Sequence, residues 1–220
     1  MGLIAIGDIH GCLGTLNVLL ERLAPTEDDH LIFIGDYIDR GPDSKGVIDC
    51  LLALRESRKC TFLRGNHEAF MLDYLQTRDF ELWGINGGIA TLKSYADEGQ
   101  NVHIPEAHIA FVKETELYYD DPDFFFVHAG LRPELTVAEN LEQCGEDVFL
   151  WEREHLYAHD HELVWEKPVV CGHTPKPEPL NRDKLIDIDT GCVYHMHPRM
   201  GRLTAVCLPA REFVIVEYVG

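Results

Sequence analysis

Three times in the first seventy residues an apolar run ends and opens onto a short polar island. Residues 3–6 lead into Gly-Asp-Ile-His-Gly (7–11), residues 31–34 into Gly-Asp-Tyr-Ile-Asp-Arg-Gly (35–41), and residues 60–63 into Arg-Gly-Asn-His-Glu (64–68). Between the islands the apolar spacing becomes helical: residues 13–23 set Thr15, Asn17 and Glu21 opposite a leucine face, and residues 46–55 align Val47, Leu51 and Leu54. Strand, helix, strand is the βαβ pattern, and sheets of that kind carry ligands just beyond the carboxyl ends of their strands. The chain is therefore read as α/β, with its polar islands at one sheet edge.

Downstream, a helix is expected from residue 68 towards 75. Residues 80–115 read as a helical, cap-like segment beside the site, best defined at 89–95 and 107–112. From residue 124 onward short strands dominate, at 124–127, 169–171, 185–188, 203–208 and 213–218, and the last two are joined as a hairpin through Pro209-Ala210-Arg211-Glu212. With 220 residues, 45% of them hydrophobic, the length suits one domain spanning 1–220.

Thirty-eight acidic against nineteen basic residues give a formal charge of −19, which argues against nucleic acid or an anionic membrane surface as partner. No apolar run reaches the length of a bilayer and the N-terminus lacks a signal-peptide pattern, so a cytoplasmic protein is expected. The seven cysteines occur singly, without a Cys-x-x-Cys pair, which argues against a disulfide framework and a thiolate zinc site. Oligomeric state is not legible.

The donors define the chemistry. Asp8 and His10, two apart in an extended stretch, project to the same side and offer an oxygen and an imidazole suited to a divalent first-row metal. Asp36 follows the second strand, where its two oxygens can bridge two cations. Asn66 follows the third, His128 follows the Phe-Phe-Phe run, and His173 follows Val169-Val170. These six can converge at one sheet edge. His30, His103, His108, His155, His159 and His161 are read as capping or surface residues without a role, and His195 and His197 as surface residues.

Taken together, the islands resemble those of the metallophosphoesterase superfamily, in particular the phosphoprotein phosphatases. The resemblance implies a calcineurin-like β-sandwich of two mixed sheets flanked by helices. It also implies two metals, the first on Asp8, His10 and Asp36 and the second on Asp36, Asn66, His128 and His173. Manganese is the expected metal, with iron or zinc behind it. A hydroxide bridging the metals would attack phosphorus directly, leaving Cys12 and Cys171 as neighbours with no nucleophilic task. His67 would protonate the leaving group, with Asp39 fixing and charging its ring. Arg40, which matches the motif, and Arg153, which matches by order and context, would grip the phosphate, whereas Arg64 is read as structural. The last motif is Gly-His-Thr-Pro where many relatives in the superfamily have Gly-His-x-His, so the first metal would have three protein ligands.

The expected substrates are phosphorylated proteins or peptides. Asp-Thr-Gly-Cys (189–192) followed by Gly-Arg-Leu-Thr-Ala-Val (201–206) instead resembles the C-terminal part of the symmetrical dinucleoside tetraphosphatases, the alternative reading. Asp39 is taken to favour the phosphatase, because that sister family has alanine in the corresponding place. A binding module without turnover is the third reading, disfavoured by the presence of His67, Asp39 and Arg40.

Overall fold

The computed structural model describes residues 2–219. Two five-stranded mixed sheets pack face to face, with helices on both outer surfaces. In the first sheet β1 (Leu3–Ile6), β2 (His30–Phe33) and β3 (Lys59–Phe62) are parallel, and β9 (Arg202–Leu208) and β10 (Glu212–Glu217) extend it antiparallel in the order β10-β9-β1-β2-β3. The second sheet has the order β4-β5-β6-β8-β7. Its strands are β4 (Tyr118–Asp120), β5 (Phe125–Val127), β6 (Val169–Cys171), β7 (Leu180–Asn181) and β8 (Leu185–Asp187), with β5, β6 and β8 parallel. The expected sandwich of two mixed sheets is the observed architecture.

Alternation along each strand divides the core. Ile4, Ile6, Leu31 and Phe33 face α1 (Leu13–Leu23) and α2 (Ser44–Ser57), whereas Ala5 and Ile32, one residue out of phase, meet Phe124, Phe126, Val170 and Ile186 between the sheets. Phe125, Val127, Val169 and Leu185 turn to the far side, under Phe149, Leu163 and Trp165. Both faces of each sheet are thus covered, which is why the central strands read as unbroken apolar runs.

Helix ends follow their capping chemistry. Asp43 caps α2 by accepting from the Gly46 amide at 2.7 Å, and Glu68 returns from the first turn of α3 (Asn66–Thr77) to the Gly65 amide at 2.9 Å. The middle segment is helical as expected: α4 (Glu81–Trp83), a wide turn over Gly84–Gly88, α5 (Ile89–Ser94) and α6 (Glu106–Glu114). The wide turn needs Gly87, whose φ is +110° and whose missing Cβ would lie 2.8 Å from Arg40 Cγ.

The strands at β4 and β7 and the helices α7 (Val137–Gln143) and α8 (Glu146–Trp151) were not anticipated from periodicity, being only two to seven residues long. All seven cysteines are free thiols, with Cys12, Cys171 and Cys192 buried. Among the described residues no helix is long and apolar enough to cross a membrane.

Candidate functional site

The loops after β1, β2, β3, β5 and β6 converge where the two sheets meet, and the expected donors lie in them. Asp8, His10, Asp36, Asn66, His128 and His173 are each less than a tenth exposed. His10, Asp36, Asp39, Arg40 and His173 all have φ between +47° and +73°. Left-handed backbone is uncommon in non-glycine residues, and its concentration here marks loops held against their local preference.

Asp36 is the centre. Its Oδ2 lies 3.4 Å from His10 Nε2 and 3.9 Å from His67 Nε2, while Oδ1 lies 3.5 Å from His128 Nε2. Ligand atoms of His10, Asp36 and His67 fall within 4.8 Å of one another, and so do those of Asp36, His128 and His173. Asn66 Oδ1 completes the second group, 3.0 Å from His128 Nε2 and 2.9 Å from His173 Nδ1. Asp8 joins neither group; its oxygens accept the His173 amide at 3.1 and 3.3 Å.

The imidazole tautomers follow from the backbone. His10 Nδ1–H donates to the Ile38 carbonyl at 2.9 Å and His128 Nδ1–H to the Ile34 carbonyl at 3.0 Å, so each Nε2 turns a lone pair inward. Burial drives His10 down to about 3 and His173 down to about 2, and lowers His128 as well, keeping all three rings neutral. The His128 lone pair therefore faces the Asn66 oxygen across 3.0 Å with no proton between them. Acceptors converging on a buried carboxylate are the donor set a divalent cation requires, and the residues fit one. Behind them, burial and the charges of Asp189, Asp36 and Asp187 push the Asp8 carboxyl well up, the mark of crowded acidic groups that a bound cation would relieve.

His67 is the exception among the four inward-facing rings. Burial lowers it too, but the Asp36 charge and a 2.6 Å hydrogen bond from Nδ1 to Asp39 Oδ2 outweigh burial and raise it. Its Nε2 is buried, without a protein partner, and aimed past Asp36. Asp39 is saturated: besides His67 it accepts Trp83 Nε1 at 2.9 Å and the Thr91 hydroxyl at 2.6 Å. Trp83 and Thr91, both from the helical middle segment, were missed in sequence because neither lies at a strand end.

Glu68 was also missed. Its Oε2 accepts the Asp36 and Gly65 amides at 2.8 and 2.9 Å and its Oε1 the Tyr37 amide at 2.9 Å, so one buried carboxylate ties the second island to the third. Its position after Asn-His, opening a helix, is the capping-box signal that was available.

Of the arginines, Arg40 donates from Nη1 to His10 Nε2 at 2.9 Å, and Arg153 donates from Nε to the Thr174 hydroxyl beside His173 at 3.1 Å. Arg64 is taken up by the Thr115 hydroxyl and carbonyl, the Lys113 carbonyl and Glu146, in keeping with a structural part. His195 and His197 are exposed, and His195 stacks on Tyr218. His30, His108 and His155 are buried, not capping or surface residues. Thr61, the pair Tyr95 and Asp49, and the Trp165 ring respectively accommodate them.

The family model for calcineurin-like phosphoesterases matches residues 1–202. The chain is 30% identical to a bis(5'-nucleosyl)-tetraphosphatase PrpE, asymmetrical, of Oceanobacillus iheyensis, over 96% of this chain and 90% of that one. It is also 30% identical to the protein of the same name in Anoxybacillus flavithermus, over 96% and 92%. A crystal structure provisionally named a diadenosine tetraphosphatase superposes with a TM-score of 0.74 at 24% identity, covering 100% of this chain and 94% of that one, a likeness of fold. The relatives overturn the expected phosphoprotein phosphatase and its phosphorylated protein or peptide substrates. The structure supplies the physical reason: Asp39 is engaged by Trp83 and Thr91 as well as His67, so its presence builds the site and does not select a phosphoprotein.

Proposed function

Because the chain belongs to the calcineurin-like phosphoesterase family, we propose that it hydrolyses dinucleoside tetraphosphates asymmetrically, into a nucleoside triphosphate and a nucleoside monophosphate. The observation that carries this reading is near full-length similarity to two relatives named for that activity. The family is one of phosphoester hydrolases with a dimetal centre. In this reading His10 and Asp36 hold one cation, with Asp8 drawn in from beside the His173 amide when the ion binds, and Asp36, Asn66, His128 and His173 hold the other, with manganese ahead of iron or zinc for mixed oxygen and imidazole donors.

When bound, two such cations supply charge neutralisation at the phosphoryl oxygens and lower the pKa of water. The chain's own groups do the rest. Asp36 presents one oxygen to each donor group and holds them in fixed relation. His67 carries a proton on Nε2, and Asp39, held by Trp83 and Thr91, orients the ring so that this proton meets the leaving oxygen. Arg40 exchanges its bond to His10 for the phosphate chain, and Arg153 approaches from the His173 side. A nucleotide leaving group is acidic, so His67 has less to contribute here than it would for an alkyl ester.

The test is product analysis. Protein stripped with a chelator and reloaded with manganese, iron or zinc in turn is given diadenosine tetraphosphate, and nucleotides are separated by anion exchange. ATP with AMP in equal amounts is expected from the reloaded protein and none from the stripped one. Two ADP would instead support symmetrical cleavage, and an intact substrate with every metal would overturn the reading.

A further inference from the structure

We propose that the cleft between α3 and α8 is the subsite for one nucleobase of the substrate, with the Trp151 indole, backed by Phe70, as its stacking wall; the inference rests on the dinucleoside reading above. The cleft measures about 530 Å³, within the ordinary range of small-molecule sites. Asn66 lines it and also belongs to the donor cluster, so cleft and centre are continuous.

Both aromatic rings face the centre on one side and the cleft on the other. Trp151 lies edge-on to His173 with centroids 5.5 Å apart, and Phe70 lies edge-on to His67 at 5.8 Å. Phe70 and Trp151 are 5.5 Å from each other at 63°. Trp151 is 39% exposed, an indole that the core does not need held open beside a charged centre.

Charge selects the occupant. Asp73 and Asp147 line the cleft together with Gln76, and the one cation among the described lining residues, Arg64, is already engaged by Glu146, Thr115 and the Lys113 carbonyl. Such a lining repels phosphate and accepts the exocyclic amino group of a neutral base through carboxylate and amide oxygens. The polyphosphate then runs away from the acidic wall, towards Arg40 and Arg153. A stacked base on each side of one phosphate chain is the chemistry a dinucleotide presents, and stacking on aromatic rings tolerates any base.

The experiment compares kcat/KM for diadenosine tetraphosphate with that for inorganic tripolyphosphate, which has no base, in wild type and in Trp151→Ala and Phe70→Ala. The ratio is expected to fall roughly 10- to 100-fold in each alanine variant, through KM, and to recover in Trp151→Phe, which keeps a ring. A readout independent of turnover is indole fluorescence: ATP should quench wild type, and the quench should be lost in Trp151→Phe, which retains Trp83 and Trp165. Wild type that cleaves the dinucleotide while the ratio and the quench stay unmoved in the variants overturns the cleft alone. Wild type that leaves the dinucleotide intact overturns the dinucleoside reading, and the base subsite with it.

Discussion

Replacing Glu68 with glutamine tests whether one carboxylate holds two of the islands together. Glu68 is fully buried and accepts three backbone amides, from Asp36, Tyr37 and Gly65, at 2.8 to 2.9 Å. Burial and the Asp36 charge push its carboxyl up to about 7, while the neighbouring His67 and the Gly65 and Tyr37 amides pull it back. Glutamine keeps the shape but has one acceptor oxygen. If that oxygen serves Asp36 and Gly65, the Tyr37 amide meets an NH₂ group and is left unsatisfied, at about 1–3 kcal/mol. The two remaining bonds change from charge-assisted to neutral, at about 1 kcal/mol each, and relief of carboxylate burial returns part of this. A net loss of about 2–4 kcal/mol follows, large against the roughly 5–15 kcal/mol by which domains are stable. Urea unfolding followed by tryptophan fluorescence measures it, with an unchanged m-value showing that the unfolded state is the same. Activity should fall beyond any loss of folded protein, since the bond that supports the left-handed backbone of Asp36 loses its charge assistance and the adjoining Tyr37 amide loses its acceptor. Glu139→Gln is the control: it sits in an exposed capping box with Thr136 and should change stability far less. A Glu68→Gln protein within 0.5 kcal/mol of wild type and equally active would refute the argument.

Three further outcomes are expected. Thr91→Val removes the hydroxyl bonded to Asp39 and should lower kcat about 10- to 100-fold with KM little changed, recovering in Thr91→Ser; an unaffected kcat sinks the positioning role. His67→Asn should slow cleavage of the phenyl ester of AMP more than that of the p-nitrophenyl ester, whose leaving group needs less protonation; equal losses on both rule out proton donation. Burial presses His155 down to about 3, so the folded state prefers the neutral ring. Its contribution is complete above the ordinary histidine value of 6.5 and is lost as the pH falls towards 3, about 2 kcal/mol of it by pH 5. In His155→Gln the drop in stability between pH 7.5 and 5 should shrink by about that amount; an identical drop in the variant contradicts it.

Strand ends and donor types were legible because they obey local rules. A short apolar run stopping at a glycine fixes both where β1, β2 and β6 end and which side chain follows, and β5 runs straight into His128. The middle segment was readable as helical, yet nothing in its periodicity says that Trp83 and Thr91 reach Asp39, because those bonds span 44 and 52 residues and depend on how α5 packs against α2. The buried histidines at 30, 108 and 155 look like surface residues in a linear reading, since burial is a property of the packed neighbours. Asp39 misled the choice of substrate for the same reason: a carboxylate beside a histidine fits either chemistry, and what surrounds it decides its task.

By itself the amino-acid order determined the fold class and which polar side chains follow the strand ends, because strand period and residue chemistry act over a few positions. Only the tertiary structure decided which ring faces which oxygen, that His67 alone among the inward rings is raised, and that an aromatic cleft opens beside Asn66. Those properties arise from burial and from contacts between residues distant along the chain, where local sequence exerts no physical influence.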